Sequence, residues 1–528
     1  MILSEKHRLL QKLFREFAEN EFTQELIDRL DATGEFDWDI YNKMAEAGFM
    51  GAKIPVKYGG QGGDSLTHVL MLEEFARVSP VLSIYANTSN SLGSGPLLAC
   101  ASEEQLMKYL PGVAAGKSLL AFCLTEPDAG SDAGGVMTSA VDCGDYYLLN
   151  GRKRFASGAP MADYALVFAR TDPSQRGSRG ISLFIVDMKL PGVECGAHED
   201  KMGIRGYPTS DISFTDVHVP KDCLMGPLHR GFAAAMKTLD GGRLGIAAQA
   251  LGIAQGCLDE AVTYAKTRKQ FGKTIGSFEG VSFMLADMAT ELQAARELVY
   301  STAVLKDTGS PESSVRCAMS KYYAAEMCNR VAYKAVQVFG GYGYIKGYKV
   351  ERLYRDARIT SIYEGTSQIQ QMVISNSLLR DESRQPSGGT TDAAAAVRRI
   401  KDAIAGTNAE VIVSVGMGIA KDSRRGLQLA QELADALGGS VGCTKDAADR
   451  GWLGRECVIG QTGRTVRPKV YIALGISGAV QHQCGMKDSG FIVAANADPH
   501  APIAEIADIL LTGDLFEIVP AMIAAAKA

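Results

Sequence analysis

The chain reads as a multidomain α+β protein in which a helical unit, a β-rich unit and a second helical bundle precede a parallel α/β unit. Three observations predict this. The 528 residues exceed what one hydrophobic core supports. Apolar periodicity along the first 380 residues is helical, then strand-like, then helical again. Beyond the polar segment ESRQPSGGTT (382–391), strand-like and helix-like runs alternate as in a parallel sheet.

Residues 1–116 carry apolar residues at helical spacing, among them Leu9, Leu10, Leu13, Phe14 and Phe17, then Val69, Leu70, Leu72 and Phe75, and are expected to form a helical domain. From 117 to 228, short runs (LLAFCLT, YYLLNG, YALVFAR, ISLFIVD, DISFTDVHV) are separated by Gly, Pro and Asp turns, the pattern of a β-domain. Residues 229–381 return to long periodic segments such as LGIAAQALGIAQGCLDEAVTYAKTRKQF, which predict a helical bundle. The Gly, Pro and polar stretch 382–392 is expected to be a linker. From 393 to 528, EVIVSVGMGI, VYIALGI and GFIVAAN alternate with helical runs such as LQLAQELADALG, so a second fold class closes the chain.

Composition removes several classes. Hydrophobic content of 46%, charged content of 22% and a mean hydropathy of −0.01 exclude a disordered or fibrous chain. With 55 basic against 60 acidic residues and no long block of either sign, nucleic acid is not an expected partner. No run approaches the roughly 20 apolar residues of a membrane span, and the start MILSEKHRLLQKLFREF resembles an amphipathic helix rather than a signal peptide. Eleven cysteines without a CxxC or a His/Cys cluster fit reduced thiols in the cytoplasm and no metal site.

Four motifs, FCLTEPDAGSD, RKQFG, QVFGGYGY and TSIYEGTSQIQ, occur in an order and at separations that resemble the acyl-CoA dehydrogenase family across residues 1–380. The stretch LDGGRLGIAAQALGIAQ is most similar to its short-chain, butyryl-CoA type. The resemblance implies that family's helical domain, β-domain and four-helix-bundle domain, an acyl-CoA thioester substrate and FAD. The chemistry removes a weakly acidic α-proton and a β-hydride. A carboxylate in an apolar pocket suits the first, and the second needs a cofactor, since no side chain accepts a hydride; the resemblance implies flavin N5. Glu364 is the expected base. Some relatives place the base on an earlier helix, beside the arginine matched here by Arg243; the residue there is Gly242, so Glu364 has no rival.

By the same resemblance, Phe122, Thr125 and Ser131 line the flavin and thioester side of the β-domain, and Ser157 hydrogen-bonds near flavin N5. Phe155 covers a flavin face where many relatives have Trp in a Trp-Ile-Thr triplet. Arg268, Phe271, Gln337 and Gly341 reach the FAD of a neighbouring subunit, which implies a homotetramer. Thr366 and Gln368 contact the FAD phosphates and adenosine. Asp240, Arg243, Tyr363 and Ser131 border the substrate. The plainer reading is core packing for the aromatic residues and a helix-surface ion pair for Asp240 and Arg243.

The segment GWLGRECVIGQTGRTVRPKVYIALGISGAVQHQCGMKDSGFIVAANADPHAPI resembles the FAD-binding C-terminal domain of the electron transfer flavoprotein α-subunit, from about residue 409 to the end. A Rossmann-like α/β flavin-binding domain is implied, with a second FAD. Thr444, Ile459, Gly460, Gln461 and Thr462, then Ser477, Gly478, Ala479, Val480, Gln481 and His482, are expected at the flavin and pyrophosphate. Asn496, Asp514 and Leu515 are expected at the ADP end. Glycine turns with Ser, Thr and backbone N–H groups suit a pyrophosphate, and His482 is placed to donate toward the flavin C2 carbonyl, against the alternative of a buried structural histidine. Relatives carry Arg where Met417 stands and Ser-Arg where Thr444 and Lys445 stand, with Arg424 or Arg425 as possible replacements.

The expected activity is dehydrogenation of an acyl-CoA to a trans-2-enoyl-CoA, with electrons relayed to the tethered second FAD and on to a downstream redox protein. The alternatives are enoyl-CoA reduction by the reverse reaction, a flavin-free docking module at the C-terminus, and an oxidase, against which the carrier domain speaks. Tethering raises the carrier's local concentration to about the millimolar range.

Overall fold

A computed structural model describes residues 2–175, 177–379, 392–404, 410–499 and 501–527, and the chain divides into two compact units, Met1–Leu378 and Leu379–Ala528. Apart from Asp392, the linker expected at 382–392 lies outside the described residues.

The first unit opens with helices α1 (Glu5–Glu21), α2 (Gln24–Thr33), α3 (Trp38–Glu46), α4 (Ser65–Val78), α5 (Pro80–Thr88), α6 (Ser94–Cys100) and α7 (Glu103–Ala114). Side chains of Ser4, Thr23, Asp37, Asp64 and Ser102 accept from free N–H groups at five of these starts, the role short polar residues play best. A single π-turn, Ser89–Gly93, joins α5 to α6. Next come β1 (Leu120–Cys123), β2 (Ser139–Asp142), β3 (Tyr146–Ser157), β4 (Tyr164–Arg170), β5 (Ile181–Asp187), β6 (Val193–Cys195), β7 (Thr209–Pro220) and β8 (Leu224–Met225). They pair in the order β6-β7-β3-β2-β4-β5-β8, with β1 parallel to β4. Both faces of the sheet are covered: Leu166, Phe168, Leu183 and Ile185 enter one core cluster, and Ala165, Val167, Phe184 and Val186 the other. The short strands β2 and β6 lacked an apolar run and were not foreseen.

Helix α8 (Gly231–Thr267) leads through a small hairpin, β9 (Lys269–Gln270) and β10 (Lys273–Thr274), to α9 (Glu279–Asp307), α10 (Ser313–Phe339), α11 (Lys349–Ala357) and α12 (Ser367–Leu378). Leu244, Leu251 and Ile253 of α8 share one core with Leu70, Leu72 and Phe75 of α4, each burial stabilising by about 2 kcal/mol. Glu73 of α4 is buried and receives Arg296 Nε at 2.8 Å and Tyr300 Oη at 2.7 Å from α9, so this buried acid is paired rather than isolated.

The second unit contains α13 (Ala393–Ile404), β11 (Val411–Val415), α14 (Ser423–Leu437), β12 (Ser440–Cys443), α15 (Lys445–Asp449), β13 (Val470–Leu474), α16 (Val480–Gln483), β14 (Phe491–Asn496), β15 (Ile509–Thr512) and α17 (Leu515–Lys527). The sheet is parallel throughout, in the order β12-β11-β13-β14-β15. Strand order reverses between β11 and β13, and such a switch point opens a crevice at the carboxyl ends of the strands. No described helix is long and apolar enough to cross a membrane.

Candidate functional site

In the first unit, the site is built on α8. Thr238, Gly242, Gly245 and Gln249 lie four, three and four residues apart, so they share one helix face. The carboxylate of Glu364 rests on this face: a Cβ at position 242 would stand 2.2 Å from Glu364 Oε2 and 2.9 Å from Oε1. Only a residue without a side chain admits the carboxylate there.

Glu364 sits in a turn with φ of +55°, a region that side-chain-bearing residues seldom occupy. Three contacts over-determine that turn. Lys321 Nζ donates to the Gly365 carbonyl at 2.7 Å, and Gln370 Nε2 donates to the Glu364 and Gly365 carbonyls at 3.1 and 2.9 Å. Backbone strain held in this way is common at functional sites. Among the described residues, six other than glycine have positive φ, and Phe155, Phe271 and Glu364 are three of them.

Glu364 Oε2 is buried with no hydrogen-bond partner. Burial pushes the carboxyl up to about 7, against the pull of Lys321 and Arg243. Burial likewise brings Lys321 down to about 8. Arg243 is 6% exposed and donates to Asp240 Oδ1 at 2.7 Å, an oxygen that Ser314 also reaches at 3.0 Å; the pair is interior, not the surface ion pair of the plainer reading. Tyr363 Oη donates to Gln249 Oε1, and Gln249 Nε2 to the Pro80 carbonyl at 2.9 Å, which anchors the residue preceding Glu364 to α8.

In the β-domain, Thr125 and Ser131 belong to one loop after β1. Glu126 pins that loop by accepting Lys153 Nζ at 2.7 Å and the Met137 and Thr138 N–H groups at 2.6 and 2.9 Å. Arg154 N donates to the Thr125 carbonyl at 2.8 Å, so the loop is tied to the strand bearing Phe155 and Ser157. Phe122 packs beside Phe168, with ring centroids 5.1 Å apart. Phe155 lies at the β3–β7 irregularity, 58% exposed, with the Arg154 guanidinium 4.7 Å from its ring centroid. Ser157 Oγ is 3.2 Å from Thr209 Oγ1.

A cleft of about 600 Å³ at the far end of the bundle is lined by Arg268 and Gly341 together with Tyr264, Phe339 and Tyr342. The Arg268 guanidinium lies 5.2 Å from the Tyr342 ring centroid. Phe271 nearby is 92% exposed, and Gln337 is also exposed; neither lines this cleft. Thr366 caps α12, its Oγ1 accepting Ile369 N at 3.3 Å, and Gln368 on the first turn is exposed.

In the second unit, most of the expected cofactor residues gather at the carboxyl ends of the parallel strands, with Met417 after β11, Thr444 after β12, Ser477 to His482 after β13, Asn496 at the end of β14 and Asp514 after β15. Gly478 has φ of +81°, and a Cβ there would meet Ile503 N at 2.2 Å, so this close turn requires glycine. His482 is 6% exposed; its Nε2 lies 2.9 Å from Tyr471 Oη, and the ring also faces the Ile459 backbone. Burial brings this imidazole down to about 4. Gly460, Gln461 and Thr462 form a turn against the Gln481 carbonyl, which accepts Gln461 N at 2.6 Å. Ala479, Val480 and Gln481 are exposed. Asn496 Nδ2 donates to the Ile476 carbonyl at 2.9 Å.

Ile459 and Leu515 bury their side chains in the cores on the two faces of this sheet, because each is the apolar residue by which its segment docks, and only their backbone is left for a cofactor. Lys445 pairs with Asp449 at 3.7 Å and Arg425 faces Glu432 at 3.9 Å. Lys421 instead brings its ammonium to Asp514 Oδ2 at 3.2 Å, a cation at this edge that the sequence reading passed over.

Lys321, Glu126 and Lys153 were also missed. Two of them had a signal: Lys321 interrupts an apolar helical stripe of Cys317, Ala318, Ala324, Ala325 and Cys328, and Lys153 sits inward in an alternating strand. Among the described residues, no group of three His, Cys, Asp or Glu is placed to hold a metal.

Comparison with known proteins places the chain by family. The N-terminal, middle and C-terminal domain profiles of acyl-CoA dehydrogenase match residues 4–117, 121–217 and 229–379, and that of the electron transfer flavoprotein FAD-binding domain matches 407–487. The chain is 56% identical over 380 residues to a caffeyl-CoA reductase–Etf complex subunit of Acetobacterium woodii, covering 72% of this chain and 100% of that protein. It is 51% identical, with the same coverage, to a 3-(aryl)acrylate reductase of Clostridium sporogenes. The solved structure of butyryl-CoA dehydrogenase from Megasphaera elsdenii superposes with a TM-score of 0.70 at 42% identity, over 72% of this chain and 100% of that one.

The chain belongs to the acyl-CoA dehydrogenase family and is an FAD-dependent oxidoreductase. In particular, it carries that family's three domains followed by an electron transfer flavoprotein α-type FAD-binding domain.

Proposed function

We propose that the first unit interconverts an acyl-CoA and its trans-2-enoyl-CoA with Glu364 as the proton-transfer group, and that the second unit holds its own FAD and serves as a tethered electron carrier. The observation that carries the reading is the Glu364 carboxyl itself, seated against Gly242 with Oε2 buried and unpartnered and titrating at about 7. A carboxyl of that kind takes an α-proton when ionised and returns it when protonated. FAD, when bound, supplies the hydride exchange at the β-carbon that no side chain provides.

The chain's own residues divide the remaining work. Arg243 and Asp240 hold a fixed charge pair beside the substrate, Tyr363 orients the Glu364 turn, and the Glu364 backbone N–H is the donor to the thioester oxygen. Thr125, Ser131, Phe155 and Ser157 receive the flavin ring. Arg268 and Gly341, with the exposed Phe271 beside them, fit the nucleotide of a neighbouring copy and favour a homotetramer. In the second unit, the close Gly478 turn and the loop after β13 that carries His482 fit a flavin dinucleotide.

Reduction of a 2-enoyl-CoA bearing an aryl group is the direction we favour, since relatives at 56% and 51% identity are named as caffeyl-CoA and arylacrylate reductases. The loss of arginine at Met417 and the Lys445–Asp449 pair favour one competing reading, a flavin-free docking module.

Flavin released per polypeptide separates the two readings when the full chain is compared with a truncation after Arg380, whose length equals that of the relatives it matches. Two FAD falling to one supports the carrier; one in both leaves a dehydrogenase with a docking domain. Absence of any reaction between CoA thioesters and the enzyme's flavin overturns the catalytic assignment.

A further inference from the structure

Behind Ser157 stand two polar side chains to which the proposed function gives no role. In the antiparallel pairing of β3 with β7, Ser157 is opposite Thr209, so their side chains share one face of the sheet. Ser157 Oγ lies 3.2 Å from Thr209 Oγ1, and either oxygen can be the donor. Lys201, in the loop before β7, brings its Nζ to the same Thr209 Oγ1 at 3.3 Å and donates to the Tyr207 carbonyl at 2.6 Å. Glu199 N donates to the Thr209 carbonyl at 2.9 Å, which ties this loop to the strand.

The row is open at one end and closed in the middle. Ser157 is exposed, as a residue that receives a cofactor must be before the cofactor binds. Thr209 is only 6% exposed, and Lys201 behind it is half-buried. The lysine nitrogen is bonded to a carbonyl and a hydroxyl, not to a carboxylate. Burial and the neighbouring Arg205 bring it down to about 8, against the pull of Asp356 and Glu199.

We infer that Lys201 is a positioning residue for the flavin, acting through Thr209 to orient and strengthen Ser157 as the hydrogen-bond partner of the ring nitrogen that exchanges hydride. This rests on the proposed assignment of Ser157 to the flavin ring. The ammonium has protons only to give, so Thr209 Oγ1 accepts from it; the Thr209 proton is then directed to Ser157 and the Ser157 proton into the site. A donor whose chain ends in a cation is stronger than an isolated hydroxyl. When the ring nitrogen itself carries hydrogen, both hydroxyls turn, and the Thr209 proton goes to the Tyr207 carbonyl 3.5 Å away. The ammonium stays beside the added negative charge in that state, so its presence favours the reduced flavin.

The test uses the FAD-loaded full chain and follows the flavin that butyryl-CoA or 3-phenylpropionyl-CoA reduces. Its reduced-to-oxidised ratio is measured against a redox dye on both sides of pH 8, in wild type, Lys201→Met, Lys201→Arg and Thr209→Val, with flavin content read alongside. Comparison with wild type at each pH cancels every titrating group that the variants share. Below pH 8, Lys201→Met is expected to lower the ratio by about tenfold and Lys201→Arg to leave it unchanged. Above pH 8, Lys201→Met matches wild type and Lys201→Arg holds a ratio about tenfold higher. Thr209→Val keeps the shape and the lysine but breaks the chain, and moves the ratio below pH 8 toward that of Lys201→Met. Should Lys201→Met not retain flavin, the other two variants decide. Lysine-variant offsets that do not change across pH 8, or a wild-type ratio in Thr209→Val, overturn the positioning role while the proposed function stands. Failure of both thioesters to reduce any flavin overturns the proposed function and this inference with it.

Discussion

Glu364 concentrates the chemistry of this protein in one side chain. Replacing it by Gln keeps shape and removes the transferable proton, so Glu364→Gln is expected to lower turnover by about 10²–10⁴-fold with FAD content retained, measured as turnover and released flavin. The titration at about 7 sets the signs of the pH profiles. Dehydrogenation needs the carboxylate and rises with pH through about 7; reduction needs the acid and falls over the same range. Lys321 favours the ionised form. Lys321→Met therefore moves the midpoint of both limbs to higher pH, a shift that a merely weakened fold would not produce.

At the scale of elements, close approach between α8 and its neighbours positions the groups. Gly242→Ala places a Cβ where the carboxylate stands, 2.2 Å from Oε2, and displaces it. A shift of about 1 Å at a reacting group costs about 10²-fold, so kcat/KM should fall by that order while FAD remains bound. In the β-domain the loop bearing Thr125 and Ser131 depends on the buried Lys153–Glu126 pair. Burial alone would raise Glu126, but Lys153 and the Met137 and Thr138 N–H groups hold it below its ordinary value. Removing one partner of such a pair strands the other, and Lys153→Met should destabilise this unit by about 3–5 kcal/mol, read from denaturant unfolding.

At the scale of the whole molecule, two compact units with separate hydrophobic cores predict two unfolding transitions instead of one. The second unit carries its own acid sensitivity. His482 is neutral in the fold at about 4 against an ordinary 6.5. The unfolded chain therefore binds the extra proton between these values, and this unit's stability is present above about 6.5 and lost as pH falls toward about 4. Following the two transitions by calorimetry at pH 7 and pH 5 should show the second-unit transition, assigned from the truncated chain, moving to lower temperature by more than His482→Gln allows.

The order of the units, the Glu364 motif and the strand-end loops of the second unit were legible in the amino-acid sequence, because each is written in consecutive residues: an apolar period, a turn, a glycine loop. The short strands Ser440–Cys443 and Ile509–Thr512 were not foreseen, since four residues carry too little periodicity to stand out. Lys321 beneath the Glu364 turn, the contact that seats the Glu364 carboxylate directly on Gly242, and the burial of Ile459 and Leu515 were decided by the tertiary structure alone. Each depends on a surface from a distant part of the chain and on the exclusion of water. Those two conditions set a carboxyl's proton affinity, and neither is a property of any single segment.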